Sequence, residues 1–269
     1  MPSGKQSKRR RAEAKAAPPP VRSKGARRQA SPRVLIAAAA AIALVAVAIA
    51  LGFLLTGDSS SSDADVPETG SLTNALSGAA EVQEELRGIP QAGNVLGSPS
   101  APVTLVEWVD LQCPFCRQFA GESMPTIIDD YVRTGKVKVE LRTLAFIGPD
   151  SARGRDALIA AGEQNKLFNF QQLVFTNQGT ENTGWLDDDF VEQAAASIPG
   201  LDVPRLLEER NSDSVREQGE AFDAQAAADG VQSTPTIMVG TSADNAEVVQ
   251  MSSPTDTAAV TAAIAAASR

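Results

Sequence analysis

Val34 to Leu55 is a run of 22 residues with no charged and no strongly polar side chain. As a helix it measures about 33 Å, enough to cross the hydrocarbon core of a bilayer. It is rich in alanine, but Ile36, Ile42, Leu44, Val45, Val47, Ile49, Leu51, Phe53, Leu54 and Leu55 make it apolar. A buried core helix and a cleaved export signal are the alternatives. A core helix is seldom apolar on every face for so many turns. A signal has an apolar region of about 7–15 residues followed by a small-residue cleavage site. This run is longer and no such site follows Leu55, so the expectation is an uncleaved, single N-terminal transmembrane helix over residues 34–56.

Charge orients that helix. The chain carries a net −9, but residues 1–33 hold eleven basic side chains and one acid, Glu13, which is +10 and leaves −19 for the rest. A strongly basic flank stays in the cytoplasm. The expected arrangement is a protein of the cell membrane, with a cytoplasmic N-terminus and everything after Thr56 outside the cytoplasm. Residues 1–33, with Pro18-Pro19-Pro20 and almost no large apolar side chain, read as a disordered tail. Topology and attraction to anionic lipid account for its charge, and no nucleic-acid partner is expected. Residues 57–92 open with GDSSSSDADVPETG and read as a flexible acidic linker with a possible short helix over Ser71–Leu86.

The 269-residue chain contains no histidine and two cysteines. That excludes Ser-His-Asp and Cys-His catalysis, His-ligated zinc and a disulfide-dense scaffold. Chemistry is left to carboxylates, hydroxyls, lysine and the two thiols. Those thiols stand at a telling place. Val103–Val109 is a β-branched, largely apolar run with the pattern of a buried parallel strand. Asp110-Leu111-Gln112 closes it, Cys113-Pro114-Phe115-Cys116 follows, and a helical pattern runs from about Pro114 to Arg133 with a kink expected at Pro125. Val137–Leu144 alternates apolar with charged residues, which suits an edge strand.

A helix N-terminus presents free N–H groups and partial positive charge, so a thiolate placed there is stabilised. Pro114 suits the first turn, where its missing N–H matters little. Cys113 precedes the helix and is the expected attacking thiol; Cys116, shielded by the turn, would close the internal disulfide. Half a zinc site and a purely structural disulfide share this spacing. The first lacks a second pair or histidine here, and the second would close a small loop of little entropic value.

The segments Ala101–Glu107, Asp110–Cys116 and Gly230-Val231-Gln232-Ser233-Thr234-Pro235-Thr236 together resemble the DsbA-like branch of the thioredoxin superfamily. The resemblance covers about residues 93–268. It implies an α/β, thioredoxin-like fold with an inserted helical subdomain at about 150–228. It implies that Pro235 is a cis-proline facing the cysteines, and that the Thr234 backbone pairs with substrate. Pro114 and Phe115 join Thr234 and Pro235 at the expected substrate-binding surface. Glu107 matches a buried acid beneath the second cysteine that exchanges a proton with it. Phe115 departs from the Cys-Pro-His-Cys form of the strongly oxidising members.

Within the insertion, Ser151–Lys166 reads as helical, Leu167–Phe175 as its aromatic continuation, Asp202 as the cap of a helix through Glu209, and Ser214–Glu217 as a capping box. Thr236–Val239 and Glu247–Met251 read as a hairpin, and Pro254–Ser268 as the last helix. The functional expectation is an extracytoplasmic thiol–disulfide oxidoreductase that needs no cofactor or metal. It would oxidise cysteine pairs in exported proteins and be recycled by a quinone-linked membrane partner. A reductase or isomerase using the same cysteines, and a non-enzymatic holdase for exported chains, are the rivals.

Overall fold

The computed structural model describes residues 66–269. The tail 1–33, the anchor 34–56 and the first part of the linker expected from sequence lie outside the described residues. Among the described residues no helix is long and apolar enough to cross a membrane.

The first element is α1 (Ala79–Glu85), followed by the short strands β1 (Gln91–Ala92) and β2 (Val95–Leu96). The expectation of a linker through residue 92 is corrected here. Ser71 N donates to the Ala196 carbonyl and Gly70 N to that of Leu201, both at 2.8 Å. Ala79, Val82, Leu86 and Ile89 enter the main core. The helix is shorter than Ser71–Leu86 because Asn74 and Gly78 take left-handed backbone conformations before it.

β3 (Val103–Val109) is buried at all seven positions. It lies in a six-stranded sheet, parallel to β4 (Val137–Thr143) and antiparallel to β5 (Thr236–Gly240); with β6 (Glu247–Val248) paired to β5, the order is β1-β2-β4-β3-β5-β6. β4 is not the edge strand its alternation suggested, since β2 pairs with it at Glu140 and Val139. Nor is its charged side all solvent-facing. Arg142 is buried, bonded to Glu140 and Asp229 and stacked 5.1 Å above the Trp108 ring.

The stretch between β3 and β4 is helical throughout but not uniformly α. α2 (Pro114–Gln118) passes into a π turn (Phe119–Ser123), then α3 (Met124–Ile127) and a second π turn (Ile128–Val132). The first π turn ends two residues before Pro125, whose ring and missing N–H exclude a regular α ladder there.

The helical insertion between β4 and β5 holds α4 (Pro149–Gly162), α5 (Leu167–Thr176), α6 (Asp188–Ala196), α7 (Val203–Glu209) and α8 (Asp213–Ala228). Asp202 caps α7 as expected, through the Arg205 N–H. The cap of α8 is Ser212, not Ser214, and Asp187 caps α6, a helix the sequence reading did not separate. The hairpin partner β6 shrinks to Glu247–Val248, and the last helix, α9 (Thr257–Ala267), starts after Asp256 caps it.

Candidate active site

The buried strand β3 delivers the cysteines to one end of the sheet. A tight turn follows it, closed by Cys113 N donating to the Asp110 carbonyl at 3.0 Å. Cys113 becomes the N-cap of α2 with extended backbone, and Pro114 takes the first turn. From the far end of the chain, the loop before β5 arrives with a cis Thr234–Pro235 bond. The Cys113 thiol donates to the Thr234 carbonyl at 3.3 Å across 121 residues of sequence. Cys113, Cys116, Thr234 and Pro235 therefore come together as the sequence reading expected.

The two sulfurs differ sharply. Both are free thiols; Cys113 keeps 5% of its surface exposed and Cys116 none. The Cys113 thiol is lowered from 9.0 to about 6, first by a hydrogen bond from the Cys116 side chain, and further by the Thr234 side chain and the N–H groups of Cys116 and Phe115; burial opposes this. Cys116 is pushed well above its ordinary value by burial, and further by Cys113. Desolvation favours the neutral form, while donors aimed at a sulfur favour the anion. Cys113 is thus built to carry negative charge and Cys116 to keep its proton.

Pro114, Thr234 and Pro235 are half-buried around this pair, while Phe115 is 53% exposed. Phe146, on the loop after β4, is equally exposed, which the sequence reading missed.

Glu107 is completely buried on β3, and burial raises its carboxyl to about 8, with a hydrogen bond from Gln171 acting the other way. Gln171 Nε2 on α5 lies 3.5 Å from both carboxylate oxygens. Among the described residues no hydrogen bond joins Glu107 to either cysteine, so its polar partner comes from the helical insertion instead.

The sequence reading also missed the buried polar cluster behind the cysteines. The Asp110 side chain accepts from Gln112 N at 2.9 Å, Phe146 N at 2.8 Å, Ile147 N at 3.1 Å and Ser151 Oγ at 2.7 Å. Gln112 Nε2 donates to Ser151 Oγ, and Gln178 Nε2 donates to the carbonyls of Leu111 and Cys113. The available signal was two polar residues, Asp110 and Gln112, directly after a largely apolar strand. Among the described residues no three His, Cys, Asp or Glu side chains are grouped to hold a metal ion.

A family model described as thioredoxin matches residues 91–256. The probable disulfide bond formation protein D of Bacillus cereus is 27% identical over 164 residues, spanning 60% of this chain and 76% of that protein. The disulfide bond formation protein D of Bacillus subtilis is 28% identical over 162 residues, spanning 58% and 70%. Among solved structures, oxidised BdbD from Bacillus subtilis superposes with a TM-score of 0.59 at 24% identity, covering 67% of this chain and 97% of that one. DsbA from Chlamydia trachomatis gives 0.56 at 20%, covering 64% and 90%. These two share the fold.

Proposed function

The chain belongs to the thioredoxin family and is a thiol–disulfide oxidoreductase, and on that premise we propose that it oxidises cysteine pairs in exported proteins through a Cys113–Cys116 disulfide. The observation that carries this reading is the asymmetry of the pair. A thiolate-favouring Cys113 sits at the start of α2, and a buried, proton-holding Cys116 lies behind it. A stabilised thiolate favours the reduced enzyme, which makes the disulfide form an oxidant.

In the proposed cycle a substrate thiolate attacks Cys113 Sγ. The Cys113–Cys116 bond breaks, and Cys116 leaves with the electron pair and takes up a proton. The second substrate thiolate attacks the substrate sulfur of the mixed disulfide and expels Cys113 as its thiolate. Two electrons pass to the enzyme and the substrate keeps the new disulfide. The Thr234 backbone, with Pro114, Phe115 and Pro235 around it, lies where an extended substrate segment would pair.

The extracytoplasmic site and the cell-membrane anchor over 34–56 belong to the same proposal, supported by the +10 segment ahead of an unbroken apolar run. Reoxidation of Cys113–Cys116 then falls to a membrane partner that passes the electrons to quinone. Expression of Cys116→Ser should trap exported proteins as mixed disulfides on Cys113, released by reductant, whereas Cys113→Ser should trap few. In parallel, the oxidised wild type should form disulfides in a dithiol peptide faster than the reduced form cleaves insulin. The reverse order of rates would reassign the protein as a reductase. Failure of both reactions would leave the holdase.

A further inference from the structure

Asp110 is a fully buried acid that the exchange chemistry above does not use. All four donors to its side chain come from outside regular strand structure. Gln112 N belongs to the turn that carries Cys113, Phe146 N and Ile147 N to the loop after β4, and Ser151 Oγ to the first turns of α4. No arginine or lysine is bonded to it among the described residues. A buried carboxylate satisfied by four short donors is stable only while every donor stays in place, because each lost partner leaves charge desolvated. The cost of moving any one segment is therefore felt by the other two.

The turn matters to the thiol. The same residue's carbonyl accepts from Cys113 N, closing Asp110–Cys113 while the carboxylate holds the Gln112 N–H inside it. That turn decides where the Cys113 sulfur stands relative to Thr234 and the first N–H groups of α2. We propose that Asp110 is a positioning residue for Cys113. Its carboxylate clamps the cysteine turn to the 144–148 loop and to α4, and so holds the sulfur in line with the donors that stabilise its thiolate. This rests on Cys113 being the attacking thiol.

The sign of the effect separates positioning from simple charge. The groups facing the Cys113 sulfur are the Cys116 thiol, Thr234 and the backbone N–H groups, with Asp110 behind the turn and Glu107 buried in β3. Removing a nearby negative charge would by itself make the thiolate easier to form. Misaligning the donors does the opposite. The experiment is thiolate absorbance against pH on the reduced full chain, for wild type, Asp110→Asn and Ser151→Ala.

Asp110→Asn should raise the Cys113 pKa by about one pH unit, which cuts the thiolate fraction at pH 6 about fivefold. Ser151→Ala, which removes one donor of four, should move it in the same direction by less. A lower or unchanged pKa in Asp110→Asn overturns the proposal, even if melting temperature falls. Should that variant not fold, an unchanged Ser151→Ala overturns it by the same standard. A wild type with no thiolate forming below pH 8 would instead remove the reading of Cys113 itself, so the two failures are distinguishable.

Discussion

Replacing Cys116 by alanine tests what makes Cys113 reactive. The Cys113 thiol falls from 9.0 to about 6 against the opposing effect of burial. Four donors act together: the Cys116 thiol, the Thr234 side chain, and the N–H groups of Cys116 and Phe115. Of the four, the Cys116 thiol has the largest effect. Cys116→Ala removes that donor and leaves its backbone N–H in place. Cys113 should then titrate higher, at about 7, and its thiolate fraction at pH 6 should fall from about one half to about one tenth. Cys116→Ser keeps an O–H donor and should lie between the two. The small cavity left by alanine costs about 1–2 kcal/mol, which a domain with this core tolerates. Thiolate absorbance near 240 nm gives the pKa, and the pH dependence of iodoacetamide alkylation checks it. An alanine variant that still titrates where the wild type does would refute the reasoning, and would assign the stabilisation to Thr234 and the helix N–H groups.

Three further outcomes are expected. Glu107, raised from 4.5 to about 8, holds a proton in the native state that the unfolded chain has lost across that window. Stability should therefore fall as pH rises from about 4.5 to 8, by at most about 1.4 kcal/mol per pH unit, and Glu107→Gln should flatten the slope in urea titrations at several pH values. Equal slopes in the two proteins would rule this out. Phe115→His places a titratable, cationic side chain beside Cys113, and its reduction potential against glutathione should rise by about 30 mV for each 1.4 kcal/mol of thiolate stabilisation. An unmoved potential would mean that the ring at this exposed position points away from the sulfur. Protease added to intact spheroplasts should digest the domain bearing Cys113 and spare the basic tail; protection of that domain would reverse the proposed orientation.

What was legible in the sequence was local. The apolar run Val103–Val109 reads as a buried strand because consecutive side chains face both sides of a sheet, and both sides are covered. Cys113-Pro114-Phe115-Cys116 reads as a helix start because Pro114 and the free N–H groups suit that position alone. Asp202 reads as a cap for the same kind of reason, an oxygen within reach of N–H groups two or three residues on. The proposed anchor and its proposed orientation rest wholly on sequence, on hydrophobic length and flanking charge, and lie outside the described residues.

Tertiary structure decided everything that joins distant segments. Residues 66–92 are polar enough to read as linker, yet Gly70 and Ser71 bond to the α6–α7 region, and Val82 and Leu86 complete the core. β4 alternates like an edge strand, but β2 covers one side and Asp229 reaches Arg142 from α8. Glu107 has its partner on an inserted helix 64 residues away, and Asp110 gathers donors from a loop and a helix 36 to 41 residues on. Periodicity encodes which face of an element is apolar, within a few residues of chain. It carries no record of which loop will meet a buried carboxylate, because that is settled by how the elements pack and by the cost of leaving a polar group unsatisfied once they have.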